Sequence, residues 1–127
     1  MKRDMDLIRE LLLAIEDHPQ LDGNQLIQYD DNENFGITEF PREQVIYHIR
    51  MLIDQGLING ELVYGGPIIS KLTWQGHDFL DAIRDPDIWR QTKEGAKKAG
   101  GFSLELLGAL AKGLLKKKIE EHTGVQL

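Results

Sequence analysis

An α+β fold is predicted for this 127-residue chain by three observations: helical hydrophobic periodicity at both ends and in the middle, two β-prone runs around Gly65-Gly66, and capping or proline residues at the helix starts. The length is that of one ordinary domain and supports one core of useful depth, which excludes a large multidomain enzyme. A hydrophobic content of 41% with 28% charged residues is near the globular average, so the chain is expected to fold rather than remain disordered.

Residues 4–17 place Met5, Ile8, Leu11, Leu12 and Ile15 at steps of three and four, which predicts an amphipathic helix with Asp4 as its N-cap. His18-Pro19 ends it, because the residue before proline is driven out of the helical region. Residues 25–30 read as a short strand and 31–36 as a polar loop. Pro41 suits the first position of a second helix running to Gln55, with Val45, Ile46, Ile49, Leu52 and Ile53 on the apolar side. On that helix Gln44, Tyr47, Met51 and Asp54 lie opposite, flanked by Glu43, His48 and Arg50. Gly56 supplies the left-handed stop. Residues 57–64 and 67–72 then form an antiparallel hairpin. Thr73 caps a third helix to Arg84, Asp85-Pro86 opens a fourth to Lys98, and Ser103 opens a leucine-rich fifth beyond the Gly100-Gly101 hinge.

Net charge is −6 and the pI about 5.1, against a protein that merely coats nucleic acid or anionic lipid. The charge is uneven. Residues 1–89 hold seven Lys and Arg against seventeen Asp and Glu, whereas residues 90–127 hold eight against four. With no cysteine there is no disulfide, thiolate nucleophile or thiolate zinc site. Asp4, Asp6 and Glu10 interrupt any signal-peptide core, and the apolar run at 106–111 is far short of the ~20 residues that span a bilayer, so no transmembrane segment and a cytoplasmic location are expected.

The order helix, strand, helix, hairpin, helix resembles a winged helix-turn-helix domain. Val45-x-Tyr47-His48-Ile49-x-x-Leu52-x-x-x-Gly56-Leu57-Ile58 resembles its recognition helix and first wing strand, and Leu72-Thr73-x-x-Gly76-x-x-Phe79-Leu80 the stretch that closes the wing. Nearly the whole chain, including its first nine residues and Gly-Gly-Phe-Ser-Leu-Glu-Leu-Leu at 100–107, is similar to a bacterial and phage family known as domain of unknown function 2513. That resemblance implies a small winged-helix protein and carries over no biochemical activity. The expected division is a winged-helix-like domain over 1–85 and a C-terminal helical extension over 86–127.

Three functions fit these features. In the first, the chain is a non-catalytic transcriptional regulator of bacterial or phage origin: Gln44, Tyr47, His48 and Arg50 meet the groove of double-stranded DNA, while Arg42 and Lys71 touch phosphate. In the second, Tyr47 and Met51 bind a protein partner, unless the C-terminal helices cover them as ordinary core. In the third, the lysine-bearing last helix lies on an anionic membrane surface. Leu107, Leu110 and Leu114 on that helix are expected to join two copies into a homodimer.

Catalytic and cofactor motifs are absent from the sequence, so the chain is read as no enzyme, with no cofactor and no metal. Asp30-x-Asn32-x-Asn34 begins like a calcium loop but fails at Phe35 and Pro41, where glycine and glutamate are required. The four histidines show no i, i+4 pair and read as surface or helix-end residues.

Overall fold

The computed structural model describes residues 1–101 and 103–127; Phe102, within one of the family-like stretches, lies outside them. The elements are α1 (Met5–Asp17), β1 (Ile27–Gln28), α2 (Arg42–Asp54), β2 (Ile58–Glu61), β3 (Ile68–Leu72), α3 (Trp74–Ile83), α4 (Pro86–Lys98) and α5 (Leu104–Thr123), a mixed α+β set. Two compact units form, Met1–Asp78 and Phe79–Leu127, the boundary falling within α3 and ahead of the 85/86 division read from the sequence.

In the first unit, Asp4 caps α1 by accepting from the N–H groups of Asp6 and Leu7 at 3.0 and 3.2 Å. The buried stripe of α1, which includes Leu7, Ile8, Leu11, Leu12 and Ile15, packs on α2 and β3. Val45, Ile49 and Leu52 are buried on α2, whereas Ile46 and Ile53 are half-buried at the edge of that stripe. The helix begins one residue later than its sequence predicts: Pro41, at ψ 148°, is the cap, and its carbonyl accepts the first helical bond from the Val45 N–H. Among the described residues from 19 to 40 no helix forms. Asp22, Asp30, Glu33 and Asn34 there accept backbone N–H groups two or three positions on, which folds the chain into successive turns.

The sheet has the order β1-β3-β2, both pairings antiparallel, with Ile27 opposite Ile69 and Ile58 opposite Leu72. A register shift lies between Asn59 and Gly60, where a Cβ would sit 2.4 Å from the Ile68 carbonyl oxygen. The first hairpin strand stops at Glu61 instead of continuing to Tyr64. Leu62 to Tyr64 leave the ladder because the chain turns over Gly65 and Gly66, with φ of 92° and 132°, and Gln28 binds the loop carbonyls.

The junction between α2 and α3 explains the Gly56-Leu57 and Leu72-Thr73-x-x-Gly76 pattern. Thr73 Oγ1 accepts from the Gly76 N–H at 3.0 Å and donates to the Gly56 carbonyl at 2.5 Å, while the Thr73 N–H reaches the Leu57 carbonyl at 3.1 Å. One threonine therefore caps α3 and ties it to the end of α2.

In the second unit α4 packs on α5. Ile88, Trp89, Thr92 and Ala96 are buried on α4, Leu107 and Ala111 on α5, and Ser103 caps α5 through the Leu106 N–H. Asp85 has two tasks. Its Oδ1 accepts from the Asp87 and Ile88 N–H groups, and its Oδ2 takes the Lys118 ammonium of α5 at 2.8 Å. The Lys118 bond, then the Ile88 N–H, holds its carboxyl at about 2 against the usual 3.8. A depressed folded value means that the ion pair stabilises the unit above pH ~4 and ceases to do so as pH falls toward ~2. Asp85→Asn keeps a capping oxygen and removes the charge. The variant is expected to unfold at lower temperature than the parent at neutral pH, with the gap closing near pH 2, read from the fluorescence of buried Trp89. A gap independent of pH would show that the pair contributes nothing.

Candidate functional site

The outward side of α2 and the neighbouring β2–β3 hairpin form the most differentiated surface of the first unit. Tyr47 and Met51 are half-buried, so each offers part of its side chain to solvent; Arg50 is exposed between Tyr47 and Asp54. Gln44 is half-buried. Arg42 is exposed but engaged: its guanidinium pairs with Asp31, and Nη2 lies 3.4 Å from the Gly65 carbonyl on the hairpin tip. Lys71 is exposed on β3, opposite Asn59, with its aliphatic stem running along Gly23.

His48 does not belong to this surface. It is fully buried, Nδ1 lies 2.7 Å from the Gln44 carbonyl, and Nε2 accepts from the Asp4 N–H at 2.7 Å. A carbonyl only accepts, so Nδ1 carries the proton and Nε2 offers its lone pair. The sequence reading put His48 at the groove and, as a class, at helix surfaces or ends. Its place on the flank of the wheel concealed the burial, which is imposed by the start of α1 forty-four residues away. Tyr47 packs edge-on against this imidazole, ring centres 5.9 Å apart.

The surrounding surface is acidic. Residues 1–78 hold six Lys and Arg against fourteen Asp and Glu, a net −8. Burial, followed by the nearby Glu39, Asp6 and Asp4, raises the carboxyl of Glu10, whereas a hydrogen bond from His18 and another from the Phe35 N–H lower that of Glu33. The calcium-like stretch is a turn: Asp30 Oδ1 accepts from the Asn32 and Glu33 N–H groups. Among the described residues no three His, Asp or Glu side chains converge on a point where a metal ion would sit.

On α5, Leu107 is fully buried within its own chain and is not available to a second copy. Leu110 lies close over Gly95 of α4, and Leu114 lines a groove of about 270 Å³ with Asp87, Gln91, Lys117 and His122. Of the three leucines expected to join two copies, Leu107 is thus buried and Leu110 lies against Gly95, where the absent side chain lets α5 approach α4 closely. Among the described residues no helix is long and apolar enough to cross a membrane.

The hairpin tip was missed by sequence reasoning. Leu62, Val63 and Tyr64 are 46%, 41% and 103% exposed. Three β-prone apolar residues just before Gly-Gly-Pro were a signal for it, but periodicity alone places them inside the strand. Gln28, which holds the tip by donating to the Tyr64 and Gly66 carbonyls at 3.0 and 2.9 Å, left no signal at all.

Against known proteins, the chain is 35% identical over 120 residues to a Haemophilus influenzae protein described as an uncharacterized protein, covering 91% of this chain and 96% of that one. No solved structure matches. The profile of the family described as hypothetical protein (DUF2513) matches residues 2–103. With four-fifths of its length inside that profile and a relative aligned almost end to end, the chain belongs to the DUF2513 family.

Proposed function

We propose that residues 1–78 form a winged-helix recognition module, acting in the cytoplasm without catalysis, whose partner is a protein. Support for the winged-helix reading comes from the sheet order β1-β3-β2, with α2 entering the β2–β3 hairpin through Gly56. In that reading α2 is the recognition helix and the hairpin is the wing. The departure is the run of turns at 19–40, where a helix-turn-helix would place its positioning helix.

The scarcity of available cations carries the choice of a protein over DNA. Typical DNA binders neutralise about 6–10 phosphates. Here Arg42 is paired with Asp31, Arg50 shares the solvent side of α2 with Glu43 and Asp54, and the wing holds Glu61 against the single cation Lys71. His48 is unavailable. What this surface offers is half-exposed Tyr47 and Met51 in an acidic field, the composition of a protein interface.

The test is fluorescence anisotropy with labelled duplex DNA between about 50 and 200 mM salt. No binding is expected at the lower salt. Binding that weakens steeply with salt and falls further in Arg50→Ala and Lys71→Ala would overturn the proposal in favour of a DNA-binding regulator.

A further inference from the structure

The hairpin tip combines three features: apolar exposure, a fixed backbone and a net acidic setting, in which Glu61 stands beside the Asp31–Arg42 pair. Scattered exposed apolar residues are ordinary, but Leu62, Val63 and Tyr64 are consecutive, and the Tyr64 side chain is wholly in solvent. The loop that carries them is not slack. Val63 to Gly66 close a turn through the Gly66 N–H and the Val63 carbonyl, 3.3 Å apart, with Gly65 at φ 92° in the third position, as a type II turn requires. Tyr64 thereby occupies the corner.

Gln28 holds the turn from below, and the Gly66 backbone lies so close to the Tyr29 carbonyl that a Cβ there would be 2.0 Å from its oxygen. An aromatic side chain presented on a backbone already ordered loses little further entropy on binding, which is what makes tyrosine an effective interface anchor. Residues 57–67 carry one charge, Glu61, and Asp31 stands near the tip through its pairing with Arg42.

We infer that Leu62-Val63-Tyr64 is the anchor by which this module docks on its partner protein, entering an apolar pocket rimmed by Lys or Arg. The inference rests on the protein-binding reading above and names the contact and the chemistry of the partner. A second copy of this unit would bring the same net −8 against itself, and a nucleic acid would meet at the tip no cation but Arg42, which Asp31 already pairs. A basic-rimmed pocket satisfies both the apolar knob and its acidic flanks.

The test selects peptides of about a dozen residues from a displayed random library on the full chain, then measures the survivors against Tyr64→Ser and Met51→Ser. Selected peptides are expected to combine aromatic or aliphatic residues with Lys or Arg, and to bind Tyr64→Ser at least about tenfold more weakly. Tyr64→Ser is expected to unfold at the parent temperature, since its side chain is fully exposed. Acidic peptides, undiminished binding to Tyr64→Ser, or no enrichment would each overturn the inference. Peptides lost on Met51→Ser but kept on Tyr64→Ser would overturn the tip and leave the protein-binding reading standing; no enrichment together with duplex DNA binding would remove both. A dimer in sedimentation that Tyr64→Ser dissociates would overturn it in favour of self-association.

Discussion

Replacing Gly76 by alanine is expected to destabilise the first unit by about 3–4 kcal/mol, seen as a fall of more than about 10 °C in the far-UV melting temperature. Helix propensity alone predicts the opposite, because alanine is favoured over glycine inside a helix by about 1 kcal/mol. Space decides between them. A Cβ on Gly76 would lie 2.0 Å from the Leu57 carbonyl oxygen and 3.0 Å from its carbon, so the obstacle is backbone and has no rotamer to change. Nor can that backbone step aside freely. Leu57 donates to the Leu52 carbonyl at 2.9 Å and accepts from the Thr73 N–H at 3.1 Å, and Thr73 holds both the first turn of α3 and the Gly56 carbonyl. Relief of the clash breaks bonds worth about 1 kcal/mol each, on top of the ordinary overpacking cost of about 1–3 kcal/mol. Gly113→Ala on α5 is the control. Nothing lies within 4 Å of its Cβ position, so there propensity is unopposed and a gain of about 0.5–1 kcal/mol is expected. Denaturant titration of the two variants separates the terms; a Gly76→Ala protein as stable as the parent would show that the first turn of α3 moves away from Leu57 without loss.

The same contrast between local and distant causes governs what the sequence discloses. Asp4, Thr73, Asp85 and Ser103 are each legible as caps because the group they satisfy is two or three residues away. The β2–β3 hairpin is legible through its glycine pair, and the family-like motifs at 45–58 and 72–80 map onto one physical junction. Partners far along the chain leave no such trace. Nothing near Gly60 announces the Ile68 carbonyl against it, nothing near Leu110 announces that Gly95 admits it so closely to α4, and nothing near Tyr64 announces Gln28. The site residues legible on α2 therefore include His48, which is buried, and leave out the exposed residues of the hairpin tip.

His48→Ala separates a structural histidine from a base-reading one. It is expected to cost the first unit about 3 kcal/mol, the sum of a vacated buried ring and two lost hydrogen bonds. The loss should be felt at the start of α1 rather than on α2, because the Asp4 N–H, which His48 satisfies, belongs to the residue whose carboxylate caps that helix. Asp4→Ala removes only the cap and should cost about 1 kcal/mol. Since both residues hold one turn, the double variant should lose less than the two single losses added together, and amide exchange at Asp6 and Leu7 should accelerate in all three. A histidine that read base edges would behave in the opposite way: alanine would leave the melting temperature in place and change binding alone. A loss below about 1 kcal/mol, with exchange at the start of α1 unaltered, would return His48 to the candidate binding surface.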